Sequence, residues 1–479
     1  MKKILQSQKG TIVAISALLI ILVPCSSSFS RTLTQLTPTL TITEEYNDNY
    51  LKTENNKQEE FITSYGLGFS VGFLNKKSNI YLAYNPKYED YKNFNSRDGF
   101  VHNASLDGKF TPSKFTNINA HLAYTSASQD NDYTGKTWEN SALISGDSQL
   151  TKNTNVNFSQ SYSNRFDEQV RTGTYNEHTV NRTSGGITNQ FGEKDRVGAN
   201  FSYEFDNYKN SDADEHTKYS PSGFITYWLT PLNGLDSKLA YEKTDFDTST
   251  SDIETYTGHL RYLRKFSKHF DGYLKYRHSY SQRESGDHHI FHPSVGFDWE
   301  VTKDSGISLG VGLLFHKWDN NNNDSTDPFL DLDAYKIFNF SERGSLSITG
   351  SSGYSEAGDS AASLGYTTYY KAGFQLNYQL LKRVSSNLFG SYRYDEFHES
   401  AVNRKDNRLN LGGGLSWLPL KWLRFNASYS YTDFNTDTNQ RGDYAENRAT
   451  VSVSFIPVLP VRLNASPSRQ FVESEIYNH

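Results

Sequence analysis

Residues 369–380 read YYKAGFQLNYQL, with Tyr370, Ala372, Phe374, Leu376, Tyr378 and Leu380 on one parity and Tyr369, Lys371, Gly373, Gln375, Asn377 and Gln379 on the other. Successive strand side chains point to opposite faces, so this strand has one apolar face and one wet face. The alternation recurs along the chain. Ile118, Ala120, Leu122 and Tyr124 share a face, as do Val197, Ala199, Phe201 and Tyr203. Near the end, Leu409 to Trp417, Leu423 to Tyr431 and Ala449 to Phe455 oppose polar faces that begin at Arg408, Arg424 and Arg448. Two surroundings produce such strands: a second packed sheet, or lipid outside and water inside.

Composition chooses between them. Apolar residues make up 35% of the chain, and with 33 Tyr and 33 Gly the value does not depend on which is counted. Globular domains hold about 45–50%. Disorder is disfavoured by 14% aromatic residues and a net charge of only −6. A membrane barrel reconciles these numbers, because only one face of a single sheet needs apolar side chains.

The chain opens with Lys2, Lys3 and Lys9 before an apolar run from Thr11 to Val23, then Ser28, Phe29 and Ser30. This is the pattern of a secretory signal peptide over residues 1–30, and the run is shorter than the roughly 20 residues of a membrane helix. Cys25 suits lipidation poorly, since Pro24 stands where a small residue is wanted. Cleavage after Ser30 leaves a chain without Cys or Met, which excludes disulfides, thiol chemistry and Cys-based metal sites.

Short turn sequences alternate with longer polar connections. TPSK (111–114), TKNT (151–154), KDSG (303–306) and SERG (341–344) belong to the short class, and the stretches 49–60, 206–218, 319–328 and 437–443 to the long one. Ten short turns imply an all-β fold: a single transmembrane antiparallel up-and-down β-barrel of about 22 strands over residues 31–457. The first strand is expected near 39–48 and the last near 444–456. Only Arg31 to Pro38 precede that first strand, so no N-terminal plug domain is expected. Residues 458–479 read as a C-terminal tail, either free or folded into the lumen.

The polar faces carry Lys371, Arg393, Arg408, Arg424 and Arg448 toward the C-terminus. Glu204, Glu242, Asp298, Glu300, Asp331 and Asp333, with Arg261, Lys275 and Arg277, lie in the middle. Two readings fit these lumen-lining candidates: a wetted, charged passage, or salt-bridge ladders that brace the wall. The lipid-facing set is Phe374, Leu376, Tyr378, Phe425, Tyr429 and Phe455. In HHIFH (288–292), His288 and His292 share the inner face about 13 Å apart, too far to share one ion, and His289 points out. DNNNNDSTD (319–327) lacks the Gly and Glu of a calcium loop, and the glycines of LGGG (411–414) relieve crowding or mark a bend in a tilted strand. No metal, cofactor or catalytic constellation is expected, and the protein is not read as an enzyme.

The opening strand LTPTLTITEEYNDNYLKT (36–53), with Glu44, Glu45, Tyr46, Asn47, Asp48 and Asn49, resembles a family of outer-membrane proteins called putative beta-barrel porin 2, some of them associated with exopolysaccharide and PEP-CTERM clusters. The resemblance implies a barrel in the outer membrane of a Gram-negative bacterium and a part in exporting or retaining surface polysaccharide. The expected partners are outer-membrane lipid, the barrel-assembly machinery and polysaccharide, with no nucleic acid. The alternative is a closed barrel that scaffolds a periplasmic or extracellular partner, such as a porin-cytochrome conduit.

Overall fold

The computed structural model describes residues 33–128, 136–169, 174–209, 215–247, 252–282, 286–319, 324–356, 365–399, 404–437, 442–458 and 461–462. The signal peptide, Cys25 and the tail beyond Arg462 lie outside the described residues.

Twenty-four strand segments form one antiparallel sheet. Lys87–Tyr91 continues Ser78–Tyr84, and Val461–Arg462 follows Tyr444–Phe455 along the same neighbour, so the wall has 22 strands. Leu33–Asn47 pairs with Glu60–Leu74 on one side and with Tyr444–Phe455 on the other, which closes the sheet into a barrel. Closure satisfies the backbone groups that lipid could not.

The first strand begins at Leu33, before the expected start. Pro38, read as a flank, lies inside it opposite Phe69. Pairing to the last strand runs only from Leu40↔Phe455 upward, so Pro38 sits where the ladder is open on that side and its missing N–H matters little. Similarly, Pro86 interrupts Ser78–Tyr84 and Lys87–Tyr91 without shifting their register against Glu60–Leu74.

All ten short connections fall at one end, the periplasmic end of an outer-membrane-type barrel. At the other end the strands outrun the alternation. Arg196–Tyr208, His216–Thr230 and Ser325–Ser341 extend into stretches read as loops. Above the lipid neither face need be apolar, so the ladder persists where the period-two signal fades.

Direct cross-strand partners share a face, so register fixes orientation around the whole ring. The apolar parity is the outer one and stays accessible: Leu239 is 68% exposed and Leu274 59%. Phe374, Leu376, Tyr378, Phe425, Tyr429 and Phe455 all lie on this parity.

The motif Glu44–Asn49 clasps the seam where the barrel closes. Arg448 Nε lies 3.3 Å from Glu45 Oε1, and Asn47 Nδ2 donates to Glu446 Oε1 at 2.6 Å. Asp48 accepts from the Asn447 backbone N–H at 2.7 Å and from its side chain at 2.6 Å. Asn49 Nδ2 donates to the Ala445 carbonyl at 2.9 Å. Asn47 and Asn49 are fully buried, and the Asn47–Glu446 bond forms away from competing water.

Candidate functional site

The lumenal face is the candidate site, and register places every predicted lumen residue on it. Glu204 lies across from Lys218, Asp298 from Ser308, and Asp331 from Gly310. Asp333 lies between Ser308 and Ser351. Lys371, Arg393 and Arg408 are consecutive direct neighbours on three adjacent strands. Arg424 does not join that row, since it follows the first residue of Leu423–Thr436 at the periplasmic end. Arg448 belongs to the seam.

The middle charges form a ladder. Arg182 forks onto Glu204 at 2.6 and 2.8 Å, and Lys218 Nζ reaches Glu242 at 2.8 Å. Arg261 pairs with Asp298, which also accepts from Ser308 at 2.6 Å, and Lys275 Nζ donates to Asp331 at 2.7 Å. His178 Nε2 lies 2.5 Å from Asp206. Glu204, Asp206 and His216 bring ligand atoms within 4.8 Å of one another, but Arg182 and His178 already engage the two carboxylates. Water-exposed pairs of this kind contribute about 0–1 kcal/mol each, so their main effect is to neutralise this wall. The ladder reading therefore describes the middle strands.

The C-terminal wall differs. Arg393 is held by Asp395 at 2.7 Å, and Arg408 lies 5.4 Å from the Phe434 ring centre. Among the described residues no carboxylate lies within 4.0 Å of Lys371, Arg408 or Arg424. Positive charge stays unspent here.

Neutral polar side chains fill the remainder. A hollow of about 770 Å³ is lined by residues such as Asn119, Ser145, Asn157, Ser159, Ser202 and Ser222. A second, of about 880 Å³, lies near the periplasmic end against Asn377, Ser385, Asn387, Ser416 and Ser428. Gly412 shows why this wall carries glycines: a Cβ there would come within 2.5 Å of the Phe389 ring, its direct partner. The expectation for LGGG holds at this position.

Two clusters fill part of the outer mouth. Strands Ser325–Ser341 and Gly344–Glu356 pair only from Leu332↔Ser352 downward. At that point Ser352 Oγ donates to the Leu330 carbonyl at 2.7 Å and accepts the Leu332 N–H at 3.1 Å, substituting for the ladder. Beyond it, Tyr354 and Tyr366, on the outer parity of their strands, pack against inner-parity side chains of the neighbouring strands. Tyr354 lies 5.2 Å from Phe329 and 5.4 Å from His292, and Tyr366 lies 5.5 Å from His316. The Tyr366 hydroxyl donates to Asp327. The upper ends of Gly344–Glu356 and Gly365–Leu381 thus form a flap on the lumenal side of the strands that carry His292, His316 and Phe329. Across the mouth, Tyr50, Ile62 and Tyr91 form a second buried group with Phe94, and Arg97 lies 5.1 Å from the Tyr50 ring. Glu60, fully buried, accepts from the Asn93 and Phe94 backbone at 3.0 Å and fixes this loop.

His288 and His292 do share the inner face and are buried, while His289 points out and stacks on Tyr280 at 4.6 Å. Sequence reasoning missed His316, 5.2 Å from His288 by ring centres, along with Tyr366, Asp327, Arg182 and Lys218. Arg182 and Lys218 were within reach of alternation extended outward from neighbouring strands. Tyr366 was not, because its parity matches that of lipid-facing Tyr370.

Residues 346–455 match the family model described as putative beta-barrel porin 2. No curated protein sequence matches the chain. Among solved structures, a mutant of the ferric enterobactin receptor PfeA from Pseudomonas aeruginosa is 8% identical, with a TM-score of 0.53, 88% of this chain and 80% of that one covered. The siderophore receptor PirA from Acinetobacter baumannii gives the same values. At this identity the likeness is one of fold, an outer-membrane-type porin-like barrel.

Proposed function

We propose that this barrel is a non-enzymatic outer-membrane passage for hydrophilic solutes, with surface polysaccharide as the solute class. It sits in outer-membrane lipid and is delivered by the barrel-assembly machinery. The observation that carries the reading is the mainly polar inner face of a wall too wide for side chains to fill. With about 22 strands ~4.8 Å apart and tilted ~40°, the backbone diameter is about 44 Å. Hydroxyl and amide groups dominate the two lumenal hollows, and such groups exchange hydrogen bonds with sugar hydroxyls as readily as with water. The test is swelling of proteoliposomes in isotonic solutions of sugars of increasing size. Swelling with small sugars and a size cut-off supports the passage; no swelling with any of them overturns it.

A second reading has its own support. The flap around Tyr366 and the cluster around Tyr50 narrow the mouth, as a closed barrel scaffolding a partner would require. Under that reading, removing the flap's ring contacts leaves the barrel impermeable.

A further inference from the structure

We infer that the lumenal wall formed by Gly365–Leu381, Val384–Glu399, Arg404–Leu420 and Leu423–Thr436 is a binding track for a carboxylate-bearing sugar chain, an inference that rests on the passage reading. Three features lie in order down this wall. The first is the row Lys371↔Arg393↔Arg408. Direct partners stand about 4.5–5.5 Å apart at Cβ, and like charges so placed repel. On the middle strands Arg182, Lys218, Arg261 and Lys275 each meet a carboxylate; in this row only Arg393 does, Asp395. The nearest acid on Arg404–Leu420, Asp406, is already engaged by Thr436 at 2.8 Å and Arg404 at 3.4 Å. An anion from outside relieves the repulsion that the wall leaves in place.

The second feature lies four residues down Val384–Glu399, about 13 Å below Arg393 at the rise of a strand. Phe389 is on the inner parity and 38% exposed, with its ring against Gly412. Because Gly412 has no Cβ, the ring lies along the wall and offers a face to the lumen. An apolar face held in a watery passage is stabilised by an occupant with an apolar face of its own, such as the C–H face of a sugar ring. The third feature is the periplasmic hollow, where Asn377, Asn387 and Ser416 offer donors and acceptors to hydroxyls. Arg424 closes the track at the periplasmic end. A small anion has no use for Phe389, and a neutral sugar has none for the cationic row. A uronate-type chain, with carboxylate, C–H face and hydroxyls in each unit, uses all three.

The experiment records ion current through the full mature chain in planar bilayers while oligogalacturonate, or malto-oligosaccharide of equal length, is added at 0.1 M salt. Oligogalacturonate is expected to block at concentrations at least about ten-fold lower than the neutral oligomer, a difference near 1.4 kcal/mol. The double variant Lys371→Gln/Arg408→Gln should remove that advantage and leave the neutral block unchanged, and Phe389→Ala should weaken both. Lys317→Gln, on the outer parity opposite His289, should alter neither. Raising salt to 1 M, which shortens the screening length from about 10 to about 3 Å, should erase the acidic preference. Equal block by both oligomers, or acidic block that survives the double variant, overturns the track. If the barrel carries no current, the passage reading fails separately, and calorimetric titration of oligogalacturonate into the detergent-solubilised barrel decides. Binding lost in the double variant sustains the track, and absent or unaltered binding overturns it.

Discussion

Phe374 and Gln375 are adjacent in the chain and face different solvents. Phe374 is 42% exposed on the lipid side, while Gln375 lies on the parity of Lys371, directly across from Phe389. Arginine at Phe374 should lower stability by about 2–4 kcal/mol if it lies near the midplane, whereas arginine at Gln375, solvated in the lumen, should cost much less. Denaturant titration of the barrel refolded into lipid vesicles checks the contrast, and equal losses would contradict the assigned register. Gly412 gives a second residue-scale test. Gly412→Val puts carbon where the Phe389 ring and, at 2.8 Å, the Tyr429 carbonyl already stand, and should destabilise by about 1–3 kcal/mol in the same titration. Orientation at this scale was legible in the sequence because lipid leaves no freedom in the outer parity. Partner choice was not: nothing in Glu204 or Asp298 says that Arg182 and Arg261 answer them, since pairing depends on register between strands.

At the scale of elements, two pieces of local structure decide how the barrel closes and how wide it opens. The seam is clasped by Asn47, Asp48 and Asn49 against residues 445–447. Asn47→Ala leaves Glu446 Oε1 in a buried position without its Asn47 donor, and should cost about 1–3 kcal/mol and slow assembly in the same refolding assay. The residues that carried the family resemblance therefore work as a clasp, a role their spacing alone could not reveal because the partner lies about 400 positions away. The flap is the other element. Tyr354→Ala with Tyr366→Ala removes its ring contacts with His292, His316 and Phe329, and should raise single-channel conductance if the flap narrows the passage. The flap was hidden from the sequence by its own regularity. Tyr366, Thr368 and Tyr370 keep strict alternation, and only the parting of the ladder above Leu332↔Ser352 turns the outer face of one strand onto the inner face of another.

At the scale of the whole molecule, the described residues close 22 strands around a mainly polar inner face, and the low apolar content of the chain follows from that. A folded barrel of this kind should resist protease in outer membranes and migrate differently in detergent gels before and after boiling, because unfolding must break the closed ladder. Strand number was legible because ten short turns repeat at one end; the extent of the strands at the other end was not, since solvent there places no demand on either face. The central claim, water inside the wall and lipid outside it, is tested most directly by single cysteines at 371, 372, 374, 375, 376 and 377, in a chain whose one native cysteine precedes Ser30. A charged, membrane-impermeant thiol reagent applied to intact outer membranes should label Lys371→Cys, Gln375→Cys and Asn377→Cys and spare Ala372→Cys, Phe374→Cys and Leu376→Cys. Uniform labelling, or labelling of the opposite set, would contradict the account.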